Sequence, residues 1–212
     1  SNKEWTNNQD DYSGYSVKSE FFSDDDEEKI LNTLYKIGFA VRQFCNEEDF
    51  LAFVSTEQQS LSNKIVVNSA QKGTKIGRKS LIPAVCDLYG IPYVGSDPYV
   101  VSLCRDKYRC SCILAQNGIP VPGAWLYQPI GAWIHEPPVN AGELIAKPNY
   151  EAASIGIDES NVCTESTIYK KAQQLESVYN QEILAEKFIS GYEVEVPVIV
   201  SGNVPTVFFP VG

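Results

Sequence analysis

The chain has 212 residues, 43% of them apolar and 21% charged, with a formal net charge of −10. That size and apolar share allow one large domain or two small ones with a real core, and the acidic balance argues against nucleic acid as a partner, because binding a phosphate backbone needs a basic face. No run approaches the roughly 18 apolar residues of a membrane span, and no signal peptide is visible.

Residues 1–16 are polar and aperiodic and read as a flexible lead, opening on Ser1-Asn2 like a cleavage scar in a chain that has no methionine. Val17 to Phe22 reads as a strand. Ser23 then caps a helix that opens on Asp24, Asp25 and Asp26, carries Ile30, Leu34 and Ile37 at helical spacing, and stops at Gly38. "FAVRQF" and "KIVVN" (Lys64 to Asn68) read as strands. A second helix runs from Ser80 to Tyr89, with Leu81, Ala84, Val85 and Leu88 on one face and Gly90 at its end. Strand alternating with helix predicts an α/β domain with a largely parallel sheet.

A third helix is predicted from about Asp106 to Asn117, with Cys110, Ile113 and Leu114 inward and Gly118 as the stop. The proline-rich "GIPVPGAWLY" marks a domain junction. There follow a strand opening at Leu144, a helix from Thr164 to Tyr179 with Ile168, Ala172, Leu175 and Tyr179 in register, and the strand "EILAEKFI". "EVEVPVIV" and "VPTVFF", joined at Ser201-Gly202-Asn203, form a hairpin. The six cysteines, Cys45, Cys86, Cys104, Cys110, Cys112 and Cys163, are scattered. They read as reduced, buried small hydrophobes of a cytoplasmic protein. His135 is the one histidine and no second cysteine pair answers Cys110 and Cys112, so no zinc site is predicted.

Three places carry candidate chemistry. "GTKIGRKS", Gly73 to Ser80, nearly spells a phosphate loop, but Arg78 intrudes where glycine should precede the lysine, so it reads better as a flexible basic loop facing a cleft. Lys147 ends the apolar run Leu144-Ile145-Ala146, where a charge must reach water or a partner. The small residues beyond it, Ala152-Ala153-Ser154 and Gly156, leave backbone N–H groups open to phosphate oxygens. Lys107, in the first turn of its helix, is by itself an ordinary surface lysine. In "LAEKFISGYEVEV", Glu186, Lys187 and Glu193 punctuate two strands, a pattern that an edge strand facing water explains equally well. These residues together spell an α/β protein with an anion-friendly cleft.

In order, the segments resemble the ATP-grasp superfamily, and within it the D-alanine–D-alanine ligase group. "IPAVCDLYGIPYVGSDPYVVSLCRDKYRCSCILAQNGIPVP", "LIAKPNYEAASIGI" and "ILAEKFISGYEVEV" carry the likeness, from about Lys64 to Gly212. The resemblance implies an α/β fold with an α+β second lobe: a Rossmann-like pre-ATP-grasp domain over 17–103, a central ATP-grasp subdomain over 104–185, and the opening strands of an incomplete C-terminal subdomain over 186–212. It implies that Lys107 and Lys147 contact ATP phosphates from two sides and that Ser154 sits in the loop closing over them. Glu186 and the backbone of Lys187 and Ile189 would read the adenine edge, with Phe188 as an apolar face and Glu193 on the ribose hydroxyls.

The implied chemistry is ATP-driven amide formation through an acylphosphate, with a small amino acid or carboxylate as substrate and no nucleic acid or membrane partner. A homodimer is compatible with it, and peptidoglycan building is the associated pathway. Magnesium is implied, but its ligands and the catalytic residues are expected beyond Gly212. Residues 1–40 show no glutamate motif of the kind the family uses to hold its first D-alanine, and the loop keeps one serine and no glycine at 152–154. These departures keep open a second class, a catalytically incomplete nucleotide-binding remnant with a regulatory or partner-binding role.

Overall fold

The computed structural model describes residues 22–212 apart from 58–60, 62 and 203. The expectations on residues 1–16, on most of the strand read from Val17 and on Asn203 in the hairpin turn lie outside the described residues. Helix α1 (Asp24–Lys36) begins as the sequence predicts: the Ser23 hydroxyl accepts the Asp26 N–H at 3.1 Å, and the Asp26 carboxylate accepts the Ser23 N–H in return. Its apolar stripe stays half-buried at Ile30 and Leu34, and Ile37 is exposed. "FAVRQF" is not a strand. Arg42 lies over the Phe44 and Phe53 rings, and Asn46 turns the chain by capping a helix not foreseen, α2 (Glu47–Thr56).

Among the described residues the parallel sheet is a pair, β1 (Val66–Val67) against β2 (Tyr93–Val94). Helix α3 (Leu81–Tyr89) ends on Gly90 in the left-handed region, as its glycine predicts. Of the face expected, only Val85 packs against the buried cluster. Ile82, Pro83 and Cys86 are buried with Phe50, Val54, Leu61 and Ile91, while Leu81 and Leu88 face out. The helix is apolar nearly all round, so its sequence holds two helical stripes and periodicity alone cannot choose between them. Next come an unforeseen short helix, α4 (Pro98–Arg105), capped by Asp97, and α5 (Lys107–Gln116), capped by Asp106. On α5 the expected inward residues are not buried: Ile113 and Leu114 are exposed and Cys110 is half-buried.

The strands between residues 124 and 187 form one antiparallel sheet. "GIPVPGAWLY", read as a junction, ends in strand β3 (Ala124–Gln128), which pairs with β4 (Ala132–Trp133) and with β7 (Ile183–Lys187). Strand β5 (Leu144–Pro148) pairs with β7 and with β6 (Val162–Cys163), giving the order β4-β3-β7-β5-β6. Helix α6 (Glu165–Tyr179) covers one face with Ile168, Ala172, Leu175 and Tyr179, the stripe its spacing predicts. Against it lie Leu144, Ala146, Ile183 and Ala185. The hairpin, β8 (Val198–Ser201) with β9 (Val204–Val207), forms but is shorter than read: residues 193–197 and 208–209 lie outside its strands, Ser201 belongs to β8, and every strand residue is exposed.

All six cysteines are free thiols, but only Cys86 and Cys163 are buried; Cys45, Cys104 and Cys112 are exposed, against the expectation. Burial pushes the Cys86 thiol up to about 11. Among the described residues no helix is long and apolar enough to cross a membrane.

Candidate functional site

The face of the sheet away from α6 carries the candidate site. Strand pleating sends alternate residues to opposite faces, so Leu144, Ala146 and Pro148 pack inward while Ile145 and Lys147 emerge on the other side. In the β5–β7 ladder Lys147 pairs with Leu184 and Ile145 with Glu186, so Lys147 and Glu186 are diagonal neighbours on that second face. The Lys147 ammonium meets the Glu186 carboxylate at 2.5 Å, with side chains 21% and 11% exposed. Both groups are half-shielded by the sheet and still reachable from outside.

Lys107 arrives from the first turn of α5. Asp106 caps α5 by accepting the Arg109 N–H at 3.1 Å, and it also accepts from the Asn149 amide at 2.9 Å. The Asn149 side-chain oxygen in turn accepts the Tyr108 N–H at 2.9 Å. Asn149 is fully buried and so pins the first turn of α5 to the end of β5. That turn delivers the Lys107 ammonium onto the carbonyls of Pro148 and Asn149, both at 3.1 Å, and of Glu151. Its pKa is pushed down to about 8, first by burial and then by the positive charges of Lys147 and Arg105. The two lysines singled out in the sequence therefore share one field with Glu186.

A second cluster, invisible in the sequence reading, sits behind them. Glu151 is buried and takes a two-pronged contact from Arg78, with Nη2 at 2.8 Å and Nη1 at 3.4 Å. Arg105 stands 3.7 Å away and the Gln181 amide donates at 2.9 Å. "GTKIGRKS" is thus neither a phosphate loop nor a flexible basic one: Ile76–Lys79 is a 3₁₀ turn running into α3, with Arg78 turned into the protein. Nearby, Arg109 bridges Asp106 at 2.6 Å and Glu182 at 2.7 Å, and the Tyr150 hydroxyl donates to Glu182. Burial, then Glu182, pushes the Tyr150 phenol up to about 12.

Beyond Glu151 the chain makes the loop that carries Ser154. Ala153 and Ser154 both adopt positive φ, 51° and 56°, which side chains with a Cβ seldom do. Gly156 follows at φ 76°, where an added Cβ would lie 2.7 Å from Pro148 and 2.8 Å from the Tyr179 ring. Asn161, buried, ties the loop down by donating to the carbonyls of Ala146 at 2.6 Å and Gly156 at 2.7 Å.

The remaining expected site residues spread along one edge. Lys187 ends β7 with its side chain exposed and its N–H donated to the Gly123 carbonyl at 2.8 Å. Phe188 is half-buried, with its N–H on the Glu143 carbonyl at 2.9 Å, and Ile189 and Glu193 are exposed. So Lys107, Lys147 and Glu186 come together, whereas Ser154, Ile189 and Glu193 stand in the surrounding exposed segments. The missed residues are Arg78, Arg105, Asn149, Glu151 and Gln181. One signal was available: a polar "NYE" directly after a buried strand needs partners, and the arginines at 78 and 105 could supply them.

Magnesium, which the resemblance implies, finds no ligand set in this cluster. Glu151 is engaged by Arg78 and Arg105, and Glu186 by Lys147. Among the described residues no group of three or more His, Cys, Asp or Glu is placed to hold a metal ion.

No family model matches the chain. Its relatives are consistent in kind. A D-alanine–D-alanine ligase of Bordetella pertussis is 34% identical over 131 residues, covering 60% of this chain and 40% of that one. Another, of Neisseria meningitidis, is 29% identical over 199 residues, covering 91% and 60%. The chain thus spans 40% to 60% of the length of these relatives. The structure of D-alanine–D-alanine ligase from Helicobacter pylori superposes with a TM-score of 0.54 at 19% identity, over 69% of this chain and 45% of that one, which speaks for the fold. In sequence over part of its length, and in fold, this chain is similar to D-alanine–D-alanine ligases.

Proposed function

We propose that this chain carries the nucleotide slot of an ATP-dependent carboxylate–amine ligase acting on small amino acids of the D-alanine class. One observation carries the reading: Lys107 from α5, Lys147 from β5 and Glu186 from β7 share one field at the sheet within an otherwise acidic protein. Lys107 and Lys147 neutralise phosphate charge and Ser154 covers it from the loop. Glu186, with the backbone of Lys187 and Ile189, takes the adenine edge beside Phe188, and Glu193 takes the ribose. Such a slot works by holding reactants in line and spreading developing charge, as the formation of an acylphosphate and its capture by an amine require. The loop favours a second reading as well. At 152–154 it keeps one hydroxyl and no glycine, a departure from the resembled pattern that is compatible with nucleotide binding without turnover.

Calorimetric titration with ATP tests the slot, and ADP release in the presence of D-alanine separates the two readings. A bound polyanion raises the lowered pKa of Lys107, so the free site is deprotonated and the bound site protonated between about 8 and the ordinary lysine range. Binding at about pH 9 therefore takes up a proton, and affinity falls as pH rises through that window. Lys147→Met weakens ATP binding by roughly tenfold or more. Absence of ATP binding by the unaltered chain overturns the proposal.

A further inference from the structure

Glu151 lies outside the residues assigned to the nucleotide, yet its buried carboxylate is held by Arg78, Arg105 and Gln181. Three elements distant in sequence converge on it: the 3₁₀ turn at Ile76–Lys79 through Arg78, the end of α4 through Arg105, and the α6–β7 turn through Gln181. Its own carbonyl accepts from Lys107. Its side chain is 1% exposed, as is that of Arg78. A buried pair of this kind adds little to stability compared with an apolar pair of equal volume, because both charges must be stripped of water. It does fix geometry, since a guanidinium fork accepts a carboxylate in one plane. Immediately after this fixed point the chain enters the loop with two successive positive-φ residues, a conformation that persists only when its surroundings over-determine it.

We propose that Glu151 is a positioning residue: clamped by Arg78, Arg105 and Gln181, it sets both the loop at 152–157 and the seat of Lys107, and so couples the first lobe to the phosphate end of the slot. This rests on the nucleotide reading above and adds to it a residue that acts without touching the ligand. The clamp governs the phosphate end alone, because the adenine edge is built on β7, whose ladder to β3 and β5 does not involve Glu151.

The test compares ATP with AMP as probes, together with hydrogen exchange of the loop amides, in the unaltered chain, Glu151→Gln and Arg78→Lys. Glu151→Gln keeps the shape and removes the charge; Arg78→Lys keeps the charge and removes the fork. The expected result is a loss of ATP affinity of roughly tenfold in Glu151→Gln, a smaller loss in Arg78→Lys, unchanged AMP affinity in both, and faster exchange at 152–157 with the rest of the sheet unaltered. Equal losses for ATP and AMP mean that Glu151 merely supports the fold, and unchanged ATP affinity with unchanged loop exchange means that it positions nothing; either overturns the proposal. If the unaltered chain binds neither probe, the slot reading fails on its own, and loop exchange in the free proteins still decides whether the clamp sets the loop. Should Glu151→Gln not fold, the ATP-to-AMP ratio and loop exchange of Arg78→Lys decide.

Discussion

Strand β7 and the hairpin β8–β9 are close in sequence and similar in apolar content, yet their surroundings are opposite. Ile183, Leu184 and Ala185 are wholly buried, whereas Ile199, Val200 and Val204 are 59%, 63% and 68% exposed. The difference lies in layers. β7 has a strand on each side and α6 across one face, while the hairpin is two strands with apolar side chains on both faces. A lone two-stranded ribbon is marginal in water, so apolar residues bury themselves only when the chain supplies a second layer to receive them.

Three substitutions sharpen this contrast. Gly156→Ala forces a Cβ against Pro148 and Tyr179, beneath the layered sheet and at positive φ, and should lower stability by about 4 kcal/mol in a denaturant melt. Leu184→Ala should cost about 3 kcal/mol, while Ile199→Ala stays within about 0.5 kcal/mol. Equal costs for the last two would mean that the hairpin is packed in solution as well as the sheet. Between the extremes lies the loop. Ala153→Gly relieves a positive φ but frees the unfolded chain, so a gain of only about 0.5 kcal/mol is expected from the thermal midpoint.

The stretches that the sequence made legible are those where one physical signal dominated. Helix α6 carries a single apolar stripe, and its buried face matched residue by residue. Lys147 stood out because a charge at the end of a buried strand is costly without a partner. Where signals competed, the reading slipped. Helix α3 has two apolar stripes, and tertiary packing on Phe50 and Val54 chose the less obvious one. Strand β3 hid behind a run of prolines, and Arg78 and Glu151 are far apart in sequence, so no local pattern could pair them. The site was half-visible for the same reason: its lysines lie in motifs, but the groups that hold them in place meet only through the fold.

The seat of Lys107 has a further consequence. An ammonium already cradled by the backbone oxygens of Pro148, Asn149 and Glu151 answers to charge more than to outline. A neutral nucleoside could fill the same volume and give that cation no reason to leave its cradle. On the proposed nucleotide reading, discrimination between a spent and a charged nucleotide begins at this main-chain cradle, before the base is read.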